Sequence, residues 1–273
     1  LIGSLYHVLN HAIFKGLLFL TAGRVLYATG TKDLNKLGGL IKIMPISAVI
    51  AGIASLSIAG MPPFSGFSSK WSIISTSLLA GNTVMILVIF GIIALFTSAV
   101  TLACYVKFFG MTFTSVGHEW NVKKPVKEVP VLMLIPKLVL TLVCLVQGLL
   151  PFLFYTMIIK VFRNASGSIV QGYFSEYNFD QVLNVSLLGI QFKNLYSSSV
   201  TAAASPIIIL VVVACAFVIS FLIRKSAGSK EVTAPTWLCG YQDLNNLNRY
   251  TDKSMFASLK SLLWWTGGNG KNQ

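Results

Sequence analysis

Acidic side chains are scarce in this sequence, whose 273 residues contain 8 Asp and Glu against 21 Lys and Arg, a net charge of +13. Charged residues make up only 11% of the chain, whereas apolar residues make up 55%. A soluble domain needs about a quarter of its residues charged to cover a water-facing surface. The composition therefore excludes an ordinary soluble domain and predicts lipid as the main solvent. The basic residues flank apolar segments, as in cytoplasmic membrane loops, so we expect no nucleic-acid partner.

Cysteine pairs at metal-binding spacing are also absent. The four cysteines are isolated and no CxxC occurs, so we expect no zinc site, no iron–sulfur site and no cofactor in this chain. Three of them, Cys104, Cys144 and Cys215, fall in apolar segments, where cysteine behaves as a small core residue. The sequence begins at Leu1 without a charged n-region or cleavage site, so we expect a truncated polypeptide without a signal peptide.

Long apolar segments dominate what is present. A hydrocarbon core of ~30 Å needs about 20 residues of helix, and about five segments are long enough. They run over about residues 3–28, 44–80, 83–109, 129–158 and 203–223. The expected fold class is an all-α polytopic transmembrane helix bundle.

The segments divide the chain into four parts. Residues 1–158 are expected to form four spans, 159–202 an external loop, and 203–223 the fifth transmembrane helix. Residues 224–273 are expected to form a cytoplasmic tail. Its apolar stretch at 255–265 is predicted to form either an interfacial helix or a docking helix for a neighbouring subunit.

The second segment is expected to be a broken helix. It is too long for one plain span, and its middle contains Gly60, Pro62, Pro63 and Gly66, which remove donors and interrupt a helix. If it crosses once, the basic loops after the first and third segments and the basic start of the tail after the fifth all lie on one side of the membrane, as the positive-inside rule requires. Carbonyls freed by a break must be covered by protein or water, so the break indicates a cavity of the kind found at transport sites.

The membrane segments carry few ionisable residues, and all of them are basic. His7, His11 and Lys15 are spaced i, i+4, i+8 and share one helical stripe. Histidine exchanges protons near neutral pH, so the stripe predicts a proton relay. Lys70 follows the break by about two helical turns, where water can approach. The alternatives are fixed hydrogen-bonded residues for the stripe and a snorkelling side chain for Lys70.

Further polar residues are weaker candidates. Lys137 either serves as an additional ion site or snorkels to the nearby membrane edge. Thr97, Thr101 and Tyr105 form a second stripe, for which a packing role is favoured over a water-carrying one. We expect no catalytic residue and no metal ligand.

Three motifs resemble those of a known family. They are YHVLNHAIFKGLLFL at 6–20, LGGL at 37–40 followed by MP at 44–45, and GMPPFSGFSSK at 60–70. The chain is similar, over about residues 1–155, to antiporter-like subunits, the large pumping subunits of respiratory complex I, of sodium/proton antiporter complexes and of membrane-bound hydrogenases. The tail motif PTWLCGY at 235–241 resembles the large membrane subunit of formate hydrogenlyase.

The resemblance implies roles for the stripe and for the lysine after the break. His7, His11 and Lys15 match the family's central proton relay, and Lys70 matches its terminal lysine near the external exit. The chain would be the second of two inverted helix halves. Lys137 departs from the apolar residue that the family pattern leads us to expect.

The function implied is translocation of protons (or sodium) in a redox-driven membrane complex, either NADH-quinone oxidoreductase-like or hydrogenase-like. Electron transfer would occur in partner subunits, membrane and peripheral, so this chain would carry no redox chemistry. An energy-conserving membrane of a prokaryotic cell is the expected location. Two alternatives remain: a stand-alone or multisubunit cation/proton antiporter, and a structural membrane subunit without an ion path.

Overall fold

The computed structural model describes residues 1–82, 84–115, 130–164, 183–193, 200–228, 251, 256–262 and 264–266. The elements are α1 (Ile2–Thr29), α2 (Pro45–Ala59), α3 (Ser65–Leu79), α4 (Ile86–Phe109), α5 (Val131–Leu149), α6 (Pro151–Asn164), β1 (Leu183–Ser186), β2 (Gly189–Lys193), β3 (Val200–Ala204), α7 (Pro206–Ser226) and α8 (Ala257–Leu262). A π-helical turn, Gly110–Thr114, continues α4. Among the described helices, α1, α4 with its extension, α5 and α7 are long and apolar enough to cross a membrane. The predicted polytopic helical bundle is confirmed.

Helices α2 and α3 together form the predicted broken span. Leu17 and Leu18, in the second half of α1, pack in one apolar cluster with Ile50 of α2. In the first half of α1, Gly3 lies so close to Ser72 of α3 that an added Cβ would be 3.0 Å from the serine Cβ. The pair therefore runs antiparallel to α1 as one interrupted crossing, as the charge of the loops predicted.

The fourth span differs from its prediction as one segment over 129–158. Helix α5 ends at Leu149 and α6 begins at Pro151, because a proline has no N–H and is accommodated in the first turn of a new helix. Helix α6 then continues to Asn164, beyond the boundary expected at residue 158.

The region expected as an external loop contains an antiparallel sheet in the order β1-β2-β3. Its inner face packs on the start of α1 and on α6, in a cluster that contains Ile2, Tyr155 and Ile190. Phe192 of β2 also stacks on Trp71 of α3, with ring centroids 5.5 Å apart. The sheet therefore covers one end of the bundle. Most of the loop's remaining residues, including 165–182, lie outside the described part.

Two smaller expectations are corrected. The basic residues were expected to flank the apolar segments, but Arg24 lies inside α1 and is 1% exposed. Cys144 is buried as expected, but Cys104 and Cys215 are exposed on α4 and α7, because those helices have large uncovered faces. In the tail only α8 and a few neighbours are described, and its membrane contact stays a prediction.

Candidate functional site at the helix break

Helix α2 ends at Ala59 and is capped by Gly60, which adopts a left-handed conformation with φ 82°. This conformation favours glycine and turns the chain away from the helix axis. The Gly60 N–H donates to the Ser57 carbonyl and the Met61 N–H to the Leu56 carbonyl, each at 3.0 Å. The backbone of the break therefore satisfies two of the carbonyls that the end of an α-helix leaves open.

Lys70 satisfies the next two carbonyls. Its ammonium Nζ donates to the Ile58 carbonyl at 2.8 Å and to the Ala59 carbonyl at 3.4 Å. Lys70 belongs to α3, so a side chain of the second half-helix caps the first. A cation is also favoured there because the carbonyl end of a helix carries partial negative charge.

Glycine at two further positions allows the half-helices and α5 to approach closely. Gly66, in the first turn of α3, lies against the Ser57 carbonyl, where a side chain would clash. Gly148 of α5 lies against the same turn, and a Cβ there would be 2.7 Å from the Ser65 amide nitrogen. The predicted break residues Pro62 and Pro63 lie in the connection between α2 and α3.

A cleft of about 180 Å³ opens beside the break, between α1, α3 and α4. His7 and Lys70 both line it, and among its lining residues they are the two that titrate. His7 Nδ1 also lies 2.9 Å from the Ser69 hydroxyl, which fixes the imidazole against α3. The lining residues are His7, Lys70, Ile73, Ile74, Ala94, Thr97 and Ser98.

The predicted stripe continues from His7 along α1. The His7 and His11 rings lie with centroids 6.1 Å apart, and His11 contacts Phe14 edge-on. Lys15 Nζ lies 5.4 Å from the centroid of the Phe19 ring. His11 is exposed and Lys15 half-buried, so the described residues leave much of this part of the stripe uncovered. The structure thus brings His7 and Lys70 to one cleft and places His11 and Lys15 further along α1.

The weaker candidates have different surroundings. Thr97 lines the cleft, but its hydroxyl donates to the Ile93 carbonyl of its own helix, and the half-buried Thr101 donates to the Thr97 carbonyl. Tyr105 packs edge-on against Phe108 beside an apolar cluster. Lys137 is 3% exposed, so its side chain is held inside the bundle.

A buried polar cluster beside the break was missed in the sequence. Asn10 Nδ2 donates to the Ser65 carbonyl at 2.9 Å. The hydroxyls of Ser57 and Ser65 lie 3.1 and 3.3 Å from the Cys144 sulfur, which therefore joins α2 and α3 to α5. Asn10 lies about one helical turn after His7 in the sequence, and this spacing was the signal that could have indicated the cluster.

Two buried tyrosines extend this polar region towards the sheet. The Tyr6 hydroxyl donates to the Gln147 carbonyl, and the Tyr155 hydroxyl donates to the Ser72 hydroxyl at 2.6 Å. The two tyrosine rings contact one another, with centroids 4.7 Å apart.

Among the described residues, no group of three or more His, Cys, Asp and Glu is arranged to hold a metal ion.

The described residues thus form a bundle of membrane helices with a basic cleft beside an interrupted span. Residues 1–97 match the family model described as NADH:quinone oxidoreductase/Mrp antiporter, TM. The resemblance to antiporter-like subunits is thereby confirmed for the region that carries the three motifs, and the chain is an integral membrane protein.

Curated relatives extend the likeness beyond that region. The Na(+)/H(+) antiporter subunit A1 of Staphylococcus saprophyticus is 40% identical over 171 residues, which are 60% of this chain and 21% of that protein. Its counterpart in Staphylococcus aureus (strain JH9) is 39% identical over 162 residues, 58% of this chain and 20% of that protein. The chain thus spans about a fifth of the length of these relatives.

A solved structure shares the fold over nearly the whole chain. It is a chain from the membrane-bound sulfane sulfur reductase, an archaeal respiratory membrane complex, with a TM-score of 0.71 and 23% sequence identity. The likeness covers 97% of this chain and 40% of that chain, including residues beyond the family match. The resemblance of the 235–241 motif to formate hydrogenlyase lies outside the described residues and stays a prediction.

Proposed function

We propose that this chain is part of a membrane subunit that moves protons, or sodium ions, through the cleft at the α2–α3 break. The observation that carries the proposal is that His7 and Lys70 line one cleft beside an interrupted membrane span. An ionisable residue inside a membrane is costly to maintain and typically marks an ion pathway. Two such residues at a break, where backbone and water can meet, support transport better than packing alone.

His7 and Lys70 have separate roles in this proposal. His7 receives a proton from the stripe formed by His11 and Lys15 and passes it into the cleft, as histidine exchanges protons near neutral pH. Lys70 holds and releases the charge at the exit. Ser69 orients the His7 ring through its hydroxyl. The chain makes or breaks no covalent bond in this process, other than those to the transferred proton.

The energy source distinguishes the two leading versions. In the first, electron transfer in other membrane and peripheral subunits of a redox complex drives the ions, which agrees with the NADH:quinone oxidoreductase part of the family description. In the second, one cation gradient drives another, which the relatives described as Na(+)/H(+) antiporter subunits favour. Both place the chain among other membrane subunits in a prokaryotic cell membrane, with a cytoplasmic C-terminus.

The test is ion movement by the assembled complex in sealed vesicles, with Lys70→Ala compared with Lys160→Ala. Lys160 is an exposed lysine on α6 and controls for the loss of one positive charge. We expect Lys70→Ala to abolish formation of the pH or sodium gradient, with assembly intact, and Lys160→Ala to leave it unchanged. An assembled Lys70→Ala complex with a normal gradient would instead support the structural-subunit alternative.

The same vesicles separate the two energy sources. Gradient formation driven by an electron donor and acceptor supports the redox version. Proton movement driven only by an imposed sodium gradient supports the antiporter version.

A further inference from the structure

The stem of Lys70 reaches the end of α2 by passing over Gly60. A Cβ added at Gly60 would lie 2.8 Å from Lys70 Cδ and 3.7 Å from both Cε and Nζ. A separation under 3 Å between carbon atoms is well inside van der Waals contact, which is about 3.5–4.0 Å. A side chain at Gly60 would therefore force the Lys70 stem off this path, and with it the ammonium group that donates to the Ile58 and Ala59 carbonyls.

We propose that Gly60 is a positioning residue for Lys70. Its bare Cα lets the lysine cross the break and cap α2, so that the ion-carrying side chain also closes the interrupted span. This inference rests on the proposed function for the role of Lys70, but its structural part can be tested separately.

The consequence is a coupling between ion transfer and the geometry of the break. A charged ammonium makes stronger hydrogen bonds to carbonyls than a neutral amine does. When Lys70 gives up its proton, its hydrogen bonds to the Ile58 and Ala59 carbonyls weaken, and when it turns further into the cleft these carbonyls lose their donor. Uncovered carbonyls in a membrane are costly, so the break must then admit water or rearrange. His7 is the other titratable group lining the cleft, and Thr97 and Ser98 face Lys70 from α4 as neutral groups.

Gly30 provides a matched control within the same chain. It ends α1 as Gly60 ends α2, in the same left-handed conformation, with φ 73° against 82°. A Cβ added at Gly30 would meet nothing within 4 Å. Alanine at Gly30 therefore brings only the backbone strain of a left-handed residue, whereas alanine at Gly60 adds the collision with Lys70.

The experiment compares Gly60→Ala and Gly30→Ala in the full-length subunit within its assembled complex, each alone and combined with Lys70→Ala. Thermal stability and ion transport in vesicles are measured for each. We expect Gly60→Ala to lower the melting temperature more than Gly30→Ala does. In the Lys70→Ala background the Cδ atom is absent, so the two glycine substitutions should then lower it equally. Such non-additivity is the signature of two groups in contact.

The rate and pH profile of transport form the second measurement, because a substitution at a merely structural glycine would not change them. We expect Gly60→Ala to reduce transport on the order of tenfold or more, since a misplacement of about 1 Å can cost a hundredfold. The pH profile of the remaining transport should also change, because Lys70 has lost its carbonyl partners. Gly30→Ala should keep the native profile and rate within about twofold.

The outcomes separate this inference from the proposed function. If Lys70→Ala abolishes transport but Gly60→Ala matches Gly30→Ala in every assay, the positioning role is wrong and the proposed function stands. If Lys70→Ala leaves transport intact, the proposed function fails, while the stability comparison still decides whether Gly60 positions the lysine. Equal stability losses from Gly60→Ala with and without Lys70 would also overturn the positioning role.

Discussion

Helices α1 and α4 both pack against α3, yet they use their polar side chains in opposite ways. On α1, His7 and Asn10 make hydrogen-bond contacts with Ser69 and Ser65 of α3. These contacts cross between helices and fix the position of one relative to the other. In the most apolar stretch of α1, 33% of the residues are buried inside the bundle.

On α4 the polar side chains turn back on their own helix. Thr97, Ser98 and Thr101 each donate to the carbonyl four residues earlier. In the most apolar stretch of α4, only 6% of the residues are buried. A hydroxyl that is hydrogen-bonded within its own helix does not fix the position of a neighbouring helix. Polar side chains thus organise the site on α1, whereas the three hydroxyls on α4 are satisfied within their own helix. Three substitutions can test this difference, and a fourth makes the same comparison between α6 and α4.

The largest effect is expected at His7. Removing its ring in His7→Ala should reduce ion transport by about a hundredfold, since a positioned proton-transfer group typically contributes that much or more. Transport in vesicles is the measurement. Thr101→Ala on α4 is the control and should stay within about twofold of the native rate. Comparable losses from both would show that α1 has no special part in transport.

Asn10→Ala should reduce stability rather than proton exchange as such. The substitution removes the hydrogen bond to the Ser65 carbonyl and leaves a gap at a fully buried position. We expect a loss of about 1–2 kcal/mol in unfolding experiments on the detergent-solubilised complex. Ser98→Ala, which removes a bond within α4, should cost less than about 0.5 kcal/mol. A smaller loss at Asn10 than at Ser98 would contradict the comparison.

Tyr155→Phe tests a hydrogen bond between α6 and α3. The hydroxyl that donates to Ser72 is lost, while the ring can keep its contact with Tyr6. The expected cost is about 0.5–1 kcal/mol, within the range for hydrogen bonds between membrane helices. Tyr105→Phe on α4 removes the same atom from a ring packed against Phe108 and should be neutral. Thermal unfolding of the two variants side by side decides between them.

The smallest effect is expected for Thr97→Val. Valine nearly preserves the shape of threonine, and the lost hydroxyl bonds only to the Ile93 carbonyl of its own helix. Transport should remain within about twofold and stability within about 0.5 kcal/mol. A tenfold loss of transport would place the Thr97 hydroxyl on the ion path and end the contrast between the two helices.

Much of the fold could be predicted because it depends on local rules. Apolar length defines the long helices, and Gly60 with Pro62 and Pro63 defines the break, since each acts on its own backbone. The division of the fourth span follows the same rule at Pro151 and was overlooked inside a long apolar run. The sheet at 183–204 could not be predicted in this way, because short strands are stabilised by pairing with partners distant in sequence.

The candidate site was predictable only in its charged members. His7 and Lys70 stand out because ionisable residues are rare in apolar segments, and the structure brings both to one cleft. Asn10 and Cys144 do not stand out, since asparagine carries no charge and cysteine counts as apolar. Their importance comes from the packing of α1, α3 and α5, which places partners at the correct distance. The capping of α2 by Lys70 depends on the same packing.

The fastening of the two half-helices is unequal. Helix α3 is anchored by directional contacts on several sides: His7 and Asn10 from α1, Tyr155 from α6, and the Phe192 ring from the sheet. Helix α2 packs along most of its length on apolar surfaces, and its directional contacts lie at its C-terminal end, where Ser57 meets Cys144 and Lys70 caps the last carbonyls. We therefore expect α3 to stay in place and α2 to move when the break rearranges. A conformational cycle at the break would begin with displacement of α2. This displacement would also move the start of α2, where the chain enters through residues 37–44.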